Sequence, residues 1–280
     1  MLESNHHMIF YPEDPQVLSK AVEPRKGTNN LHRLPAAILV PHASYDHSLE
    51  ALHRSFGETG SLNPELVVFL GPLHQEVLTI DEPAFLFTSA SSKIRIAGRN
   101  YCFASSLMDE LVSKFSPSLA QEDSYLSEES AFELTLPLIG SYFPDCPVLV
   151  LLAGSCSASQ IKTYAQILDA IVKAQEKTLF IVSANANALL SSPQAEEHAQ
   201  AFVSALTEEG NLMDLALHHQ VSSCNLASLI ALSQLPWAEK RWNITSYFCK
   251  AKEHETIEVF SESKDKHVWH LSGYWREINA

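Results

Sequence analysis

Apolar residues gather in short unbroken runs, spaced widely enough for helices to lie between them. Ala36–Val40, Leu66–Leu70, Val148–Leu152 and Leu179–Val182 are aliphatic, partly β-branched, and closed by turn residues. Such runs predict strands buried on both faces. Between them the apolar spacing becomes helical. Ser48–Phe56, Tyr101–Phe115 (Leu107, Leu111 and Phe115 one turn apart), Ser130–Tyr142 with Pro137 inside it, and Ser157–Ala174 are predicted helices. Ala195–Thr207, Met213–His218 and Asn225–Leu235 follow as helices, and Ile244–Lys250 and His267–Leu271 as late strands. Val77–Ile80 and Ala84–Thr88 flank Asp81-Glu82-Pro83 and predict a hairpin. Residues 1–33 are polar and contain prolines, which predicts an irregular lead-in over the domain. No composition break or repeat divides 34–280. The expectation is a single α/β domain, with a mainly parallel central sheet and helices on both faces.

Composition narrows the function classes. The chain has 280 residues, 46% hydrophobic and 19% charged, enough for a sizeable core. Its net charge is −14, with no basic stripe to neutralise phosphates, so neither nucleic acid nor an anionic membrane is an expected partner. Five cysteines (Cys102, Cys146, Cys156, Cys224, Cys249) lack CxxC spacing, which favours a reducing compartment. The N-terminus has no basic and apolar leader pattern, and the longest apolar stretch, about Pro147–Ala153, is too short for a bilayer. A cytoplasmic protein without membrane insertion is expected.

Candidate chemistry lies just past the strands. Four strands end in Pro41–Tyr45, Gly71–Gln75, Ala153–Ser155 and Ser183–Asn187. In open α/β sheets, ligand-binding groups gather beyond the carboxyl ends of strands. His42 and His74 occupy equivalent turns there, so they can share one ligand, and a metal ion is the obvious candidate. A lone strand-end histidine is more often a plain turn residue. Cys224 opens an apolar helical run, where the helix dipole favours a thiolate and hence a third ligand. It reads equally as a small buried cysteine. Glu129 and Glu133 share a helix face, with Glu128 beside them, and could orient a histidine or move protons. A solvated acidic face is the preferred reading. His47, His53 and His218-His219 read as surface or capping residues. No phosphate loop, dinucleotide fingerprint, nucleophile elbow or HExxH is present, so no nucleotide cofactor is expected.

These residues form a familiar pattern. Pro41–Tyr45 (PHASY) is similar to PHAGY, Phe69–His74 (FLGPLH) to LGPSHH, and Glu129–Pro137 to EHSxExxLP. Ile181–Asn185 matches a strand ending in SSD, and Ser223-Cys224 a late Cys-Gly helix start. In these motifs, from about Ala36 to the C-terminus, the chain resembles the Memo family, which includes the B component of the AmmeMemoRadiSam system. The resemblance implies a fold like the class III extradiol dioxygenases. It implies a metal pocket of His42, His74 and Cys224, lined by Ser44, Tyr45, Gln75, Glu129, Ser130 and Asn185. Relatives with that fold hold non-haem iron with two histidines and a carboxylate. A thiolate in third place favours copper or iron, then zinc, over magnesium or calcium. Several positions depart from the family pattern: Gln75, Ser130, Asn185 and Ala188 replace protonatable residues, and Asn225 replaces glycine. The implied function is a transition-metal centre, redox-active and metal-dependent if it is an enzyme, without a clear general acid or base. The alternative is a non-catalytic module binding a small molecule or peptide in the same pocket. A third reading is a vestigial pocket on a protein-contact surface.

Overall fold

The computed structural model describes all residues except 29, 30, 32, 35, 61, 75–82, 189, 209, 236–239, 250–265 and 278–280. The first half runs β1 (Leu2–Glu3), α1 (Pro15–Ala21), β2 (Ala36–Val40), α2 (Tyr45–Gly57), β3 (Leu66–Pro72) and β4 (Leu86–Thr88). Next come β5 (Lys93–Ile96), β6 (Arg99–Cys102), α3 (Ser105–Phe115), β7 (Leu119–Gln121), α4 (Asp123–Glu128) and α5 (Ser130–Tyr142). β8 (Val148–Ala153), α6 (Ala158–Ala174), β9 (Thr178–Ser183), β10 (Leu190–Ser191), α7 (Ser192–Thr207) and α8 (Leu212–Leu217) follow. The chain closes with α9 (Leu226–Ser233), β11 (Lys240–Cys249), β12 (Lys266–His267) and β13 (Trp269–Glu277).

Eight strands form one sheet in the order β11-β13-β2-β9-β3-β8-β4-β7. The central pairs β2–β9, β9–β3 and β3–β8 are parallel, as is β4–β7 at one edge. The pairs β11–β13, β13–β2 and β8–β4 are antiparallel. Every residue of β2, β3, β8 and β9 is buried, as strands covered on both faces require. The result is a single α/β domain: a mixed, mostly parallel sheet flanked by helices. The order β2-β9-β3 sets the turn after β9 between the turns carrying His42 and His74.

The joint between the parallel core and the antiparallel edge is short, pairing only Gly273 with Leu39 and Tyr274 with Ile38. Ser55 of α2 stitches it. Its hydroxyl lies 2.7 Å from the Leu39 carbonyl, which accepts from it, and takes a 2.9 Å bond from the Gly273 N–H. On its other side Gly273 lets β11 come close, since a Cβ there would stand 2.6 Å from the Asn243 carbonyl oxygen.

Several elements differ from the sequence expectation. The helix predicted from Tyr101 begins at Ser105, because Tyr101 and Cys102 belong to the β5–β6 hairpin. Ala97 and Gly98 turn that hairpin with φ of 47° and 79°. Paired left-handed residues suit a tight hairpin, but alanine there hides the usual Asn-Gly signal. Both edges of β4 are taken by β8 and β7, so it is not half of the expected local hairpin; Val77–Ile80 lies outside the described residues. The lead-in is not irregular throughout. It carries α1, capped by Asp14, and β1, parallel to β5. His53 is not a surface residue but is 3% exposed, with Nε2 2.8 Å from the Ala21 carbonyl and Nδ1 3.1 Å from the Tyr142 hydroxyl.

Candidate metal centre

His42 stands two residues past β2, where Pro41 ends the strand. It is buried, and its Nδ1 lies 3.0 Å from the Ser183 hydroxyl at the end of β9. Its other nitrogen, Nε2, is 3.6 Å from Cys224 Sγ and 3.1 Å from the Asn185 side-chain amide. His74 stands two residues past β3, with its ring centroid 5.0 Å from that of His42. One donor atom from each of His42, His74 and Cys224 lies within 4.8 Å of the others. Three residues from distant parts of the chain thus bring two nitrogens and a sulfur to one point. Ligand bonds of about 2.0–2.3 Å place two donors at most about 4.6 Å apart, and the 3.6 Å between His42 Nε2 and Cys224 Sγ falls within that reach.

The carboxylate of Glu129 fixes His74. Its oxygens lie 3.0 and 3.1 Å from His74 Nδ1, and Oε2 also accepts the His74 backbone N–H. Glu129 caps α5 as well, accepting the Ala131 N–H at 3.0 Å. Holding Nδ1–H on a carboxylate leaves Nε2 to face the centre, as outer partners of ligand histidines do. Burial alone would raise the Glu129 carboxyl, but the His74 hydrogen bond and charge hold it below its usual range. Glu129 and Glu133, the expected solvated face, are both buried. Glu133 accepts the Asn5 and His6 N–H groups and the Tyr11 hydroxyl, and so pins the N-terminal segment to α5.

Cys224 is half-buried at the turn before α9. Its position is set by the next residue. Asn225 Nδ2 donates to the carbonyls of Leu70 and Ser183, bridging the ends of β3 and β9. Glycine could not make that bridge. The sulfur also accepts the Asn185 backbone N–H at 3.3 Å. Burial pushes the Cys224 thiol up, but the imidazoles of His42 and His74 outweigh it and bring it down to about 6. Burial works against a charged His74, yet Cys224 and Glu129 raise it to about 10. The resting pair is therefore thiolate beside imidazolium at neutral pH. A metal ion bound through His74 Nε2 would have to displace the proton there.

The remaining expected pocket residues are placed unevenly. Asn185 reaches the centre directly. Tyr45 is buried in the core, its hydroxyl donating to the Leu134 carbonyl at 2.7 Å. Ser44 and Ser130 are half-buried at the starts of α2 and α5. Gln75 lies outside the described residues. Sequence reasoning missed His270 on β13, whose Nδ1 is 2.9 Å from Asn185 Oδ1. Its strand was readable, but its neighbour across more than eighty residues was not.

Glu129→Gln should weaken metal binding about 10–100-fold while leaving the fold intact, because a neutral amide polarises the Nδ1–H of His74 less and so makes Nε2 a poorer, less firmly oriented ligand. Competition against a chromophoric chelator measures it. An affinity within about threefold of wild type would remove Glu129 from the centre.

Comparison with known proteins gives the family and the fold. Residues 3–232 match the family described as Memo-like protein. The match reaches into the lead-in, earlier than the resemblance beginning near Ala36, and stops before β11. A MEMO1 family protein from Aquifex aeolicus (strain VF5) is 24% identical over 232 residues, covering 79% of this chain and 80% of the relative. Among solved structures, the uncharacterized protein JW3007 from Escherichia coli K12 is similar in fold, with a TM-score of 0.50 and 15% identity. That likeness covers 85% of this chain and 98% of the other.

Proposed function

For a chain that belongs to the Memo-like family, we propose a mononuclear transition-metal centre held by His42, His74 and Cys224. The convergence of those three donors within 4.8 Å carries the reading. Two further observations support it. Glu129 holds His74 Nδ1 and so leaves Nε2 for the centre, and the two imidazoles bring the Cys224 thiol down to about 6. The N,N,S donor set favours copper or iron, with zinc next. Bound there, copper or iron would supply one-electron chemistry and an open coordination position, whereas zinc would act only as a Lewis acid.

The chain's own groups define what can accompany it. Glu129 holds the Nδ1–H of His74, and Ser183 sits at His42 Nδ1, so both rings are oriented from behind. Asn185 hydrogen-bonds at the rim but does not exchange a proton at neutral pH. We therefore read the protein as an oxidoreductase or metal-dependent binder rather than a hydrolase needing a general base. Its five unpaired cysteines suit a reducing, cytoplasmic setting. Among the described residues, no helix is long and apolar enough to cross a membrane.

Anaerobic purification followed by iron, copper and zinc analysis tests the proposal. Wild type should carry about one equivalent of one ion, and His42→Ala far less. Equal, negligible metal in both would end it. Oxygen consumption by the loaded protein that persists in His42→Ala would argue against redox chemistry at this centre.

A further inference from the structure

Asn185 stands between two histidines. Its Nδ2 is 3.1 Å from His42 Nε2, and its Oδ1 is 2.9 Å from His270 Nδ1. The backbone of Asn185 is fixed at both ends. Its N–H donates to Cys224 Sγ, and its carbonyl accepts the Ser223 hydroxyl at 2.6 Å. The remaining choice is which end of the amide faces which histidine. The two ends are nearly identical in shape and opposite in chemistry: one donates, the other accepts.

His270 is well placed to make that choice. It is 9% exposed and lies opposite Phe248 in the β11–β13 register, with ring centroids 5.5 Å apart. The start of β13 is clamped to the turn after β9. The Ala186 N–H donates to the Trp269 carbonyl at 2.8 Å, and the Trp269 N–H to Asn187 Oδ1 at 2.7 Å. Asn187 Nδ2 donates to the His267 carbonyl at 3.0 Å. The imidazole therefore has little room to leave the amide.

We infer that His270 locks the Asn185 amide with its NH2 toward His42, and so sets which metal ions the centre accepts. The inference rests on the metal-centre reading above. The lock is the Nδ1–H tautomer of His270: in it the ring donates to Oδ1, and the amide NH2 points at His42 Nε2 and competes for its lone pair. No oxygen then joins the two nitrogens and the sulfur. That set suits copper(I), which is content with few, soft ligands. Cobalt(II) and iron(II) gain more from an added oxygen. Released from His270, the amide can turn its oxygen inward and supply one. Asn185 is thus held as a hydrogen-bond donor toward His42. His270 acts through Asn185 and is a positioning residue.

Anaerobic titration with copper(I) and with cobalt(II), each against a competing chelator, tests the lock. His270→Phe keeps the aromatic packing on Phe248 but cannot donate. It should raise cobalt(II) affinity relative to copper(I) by about tenfold, the scale of other outer-partner effects, with a change in the cobalt ligand-field bands. In an Asn185→Ala background, His270→Phe should leave the ratio unmoved. An unchanged ratio in His270→Phe, or an equal change with Asn185 absent, overturns the lock while the centre stands. Wild type that binds neither ion overturns the metal-centre reading, and the lock with it.

Discussion

Cys224→Ser should lower copper(I) affinity by more than the roughly 10–100-fold that loss of an outer partner costs. The reason is chemical rather than steric. Serine fills nearly the same volume and keeps the Asn185 N–H beside it, but its hydroxyl is not ionised at neutral pH and is a hard donor. The thiol it replaces is brought down to about 6 against the opposing pull of burial. His42 and His74 would remain 5.0 Å apart, ring centre to ring centre, as a two-coordinate remnant. Chelator competition under anaerobic conditions gives the affinity, and loss of the thiolate-to-metal charge-transfer band gives the cause. A loss of affinity below about tenfold would show that the sulfur does not bind the ion.

The second large effect concerns stability. Phe132→Ala should destabilise the domain by about 3–5 kcal/mol, read from the urea midpoint at unchanged slope. Phe132 lies on α5, three residues beyond the Glu129 cap, and is fully buried. Its ring is 5.2 Å from that of Phe69 on β3 and 5.9 Å from that of Phe103. The contact presses α5 onto β3, so the helix that orients His74 and the strand that delivers it share one packing site. Truncation leaves a cavity that neither backbone element can close without moving. A loss under about 1 kcal/mol would mean that the core collapses around the gap. Metal stoichiometry of the folded fraction should hold, which separates this variant from Cys224→Ser.

Much of the centre is legible in the sequence. His42 and His74 each follow a short buried strand, and parallel strands deliver their following turns to one sheet edge. That rule depends only on local sequence and strand direction. Glu129 was harder, because its charge suggested solvent. Only the sheet order brings it beneath the His74 turn, where buried carboxylate and imidazole stabilise each other. Tyr101 and Cys102 carry a helical expectation, and the rest of the β5–β6 hairpin gives no signal, because Ala97-Gly98 reaches left-handed φ values without the usual asparagine. The short helix α1 was lost in a polar segment whose anchoring partner, Glu133, comes more than a hundred residues later.

The sequence by itself determined the strand cores, most helices, and the three residue types that suit a soft metal ion. Those features are local: side-chain periodicity, turn residues and donor chemistry need no distant neighbour. The tertiary structure alone decided that β9 lies between β2 and β3, that Asn225 ties Cys224 to both strand ends, and that His270 reaches Asn185. Each of these is a hydrogen bond or strand pairing between residues far apart in the chain. Many partners compete for such bonds in a sequence, and close packing selects one.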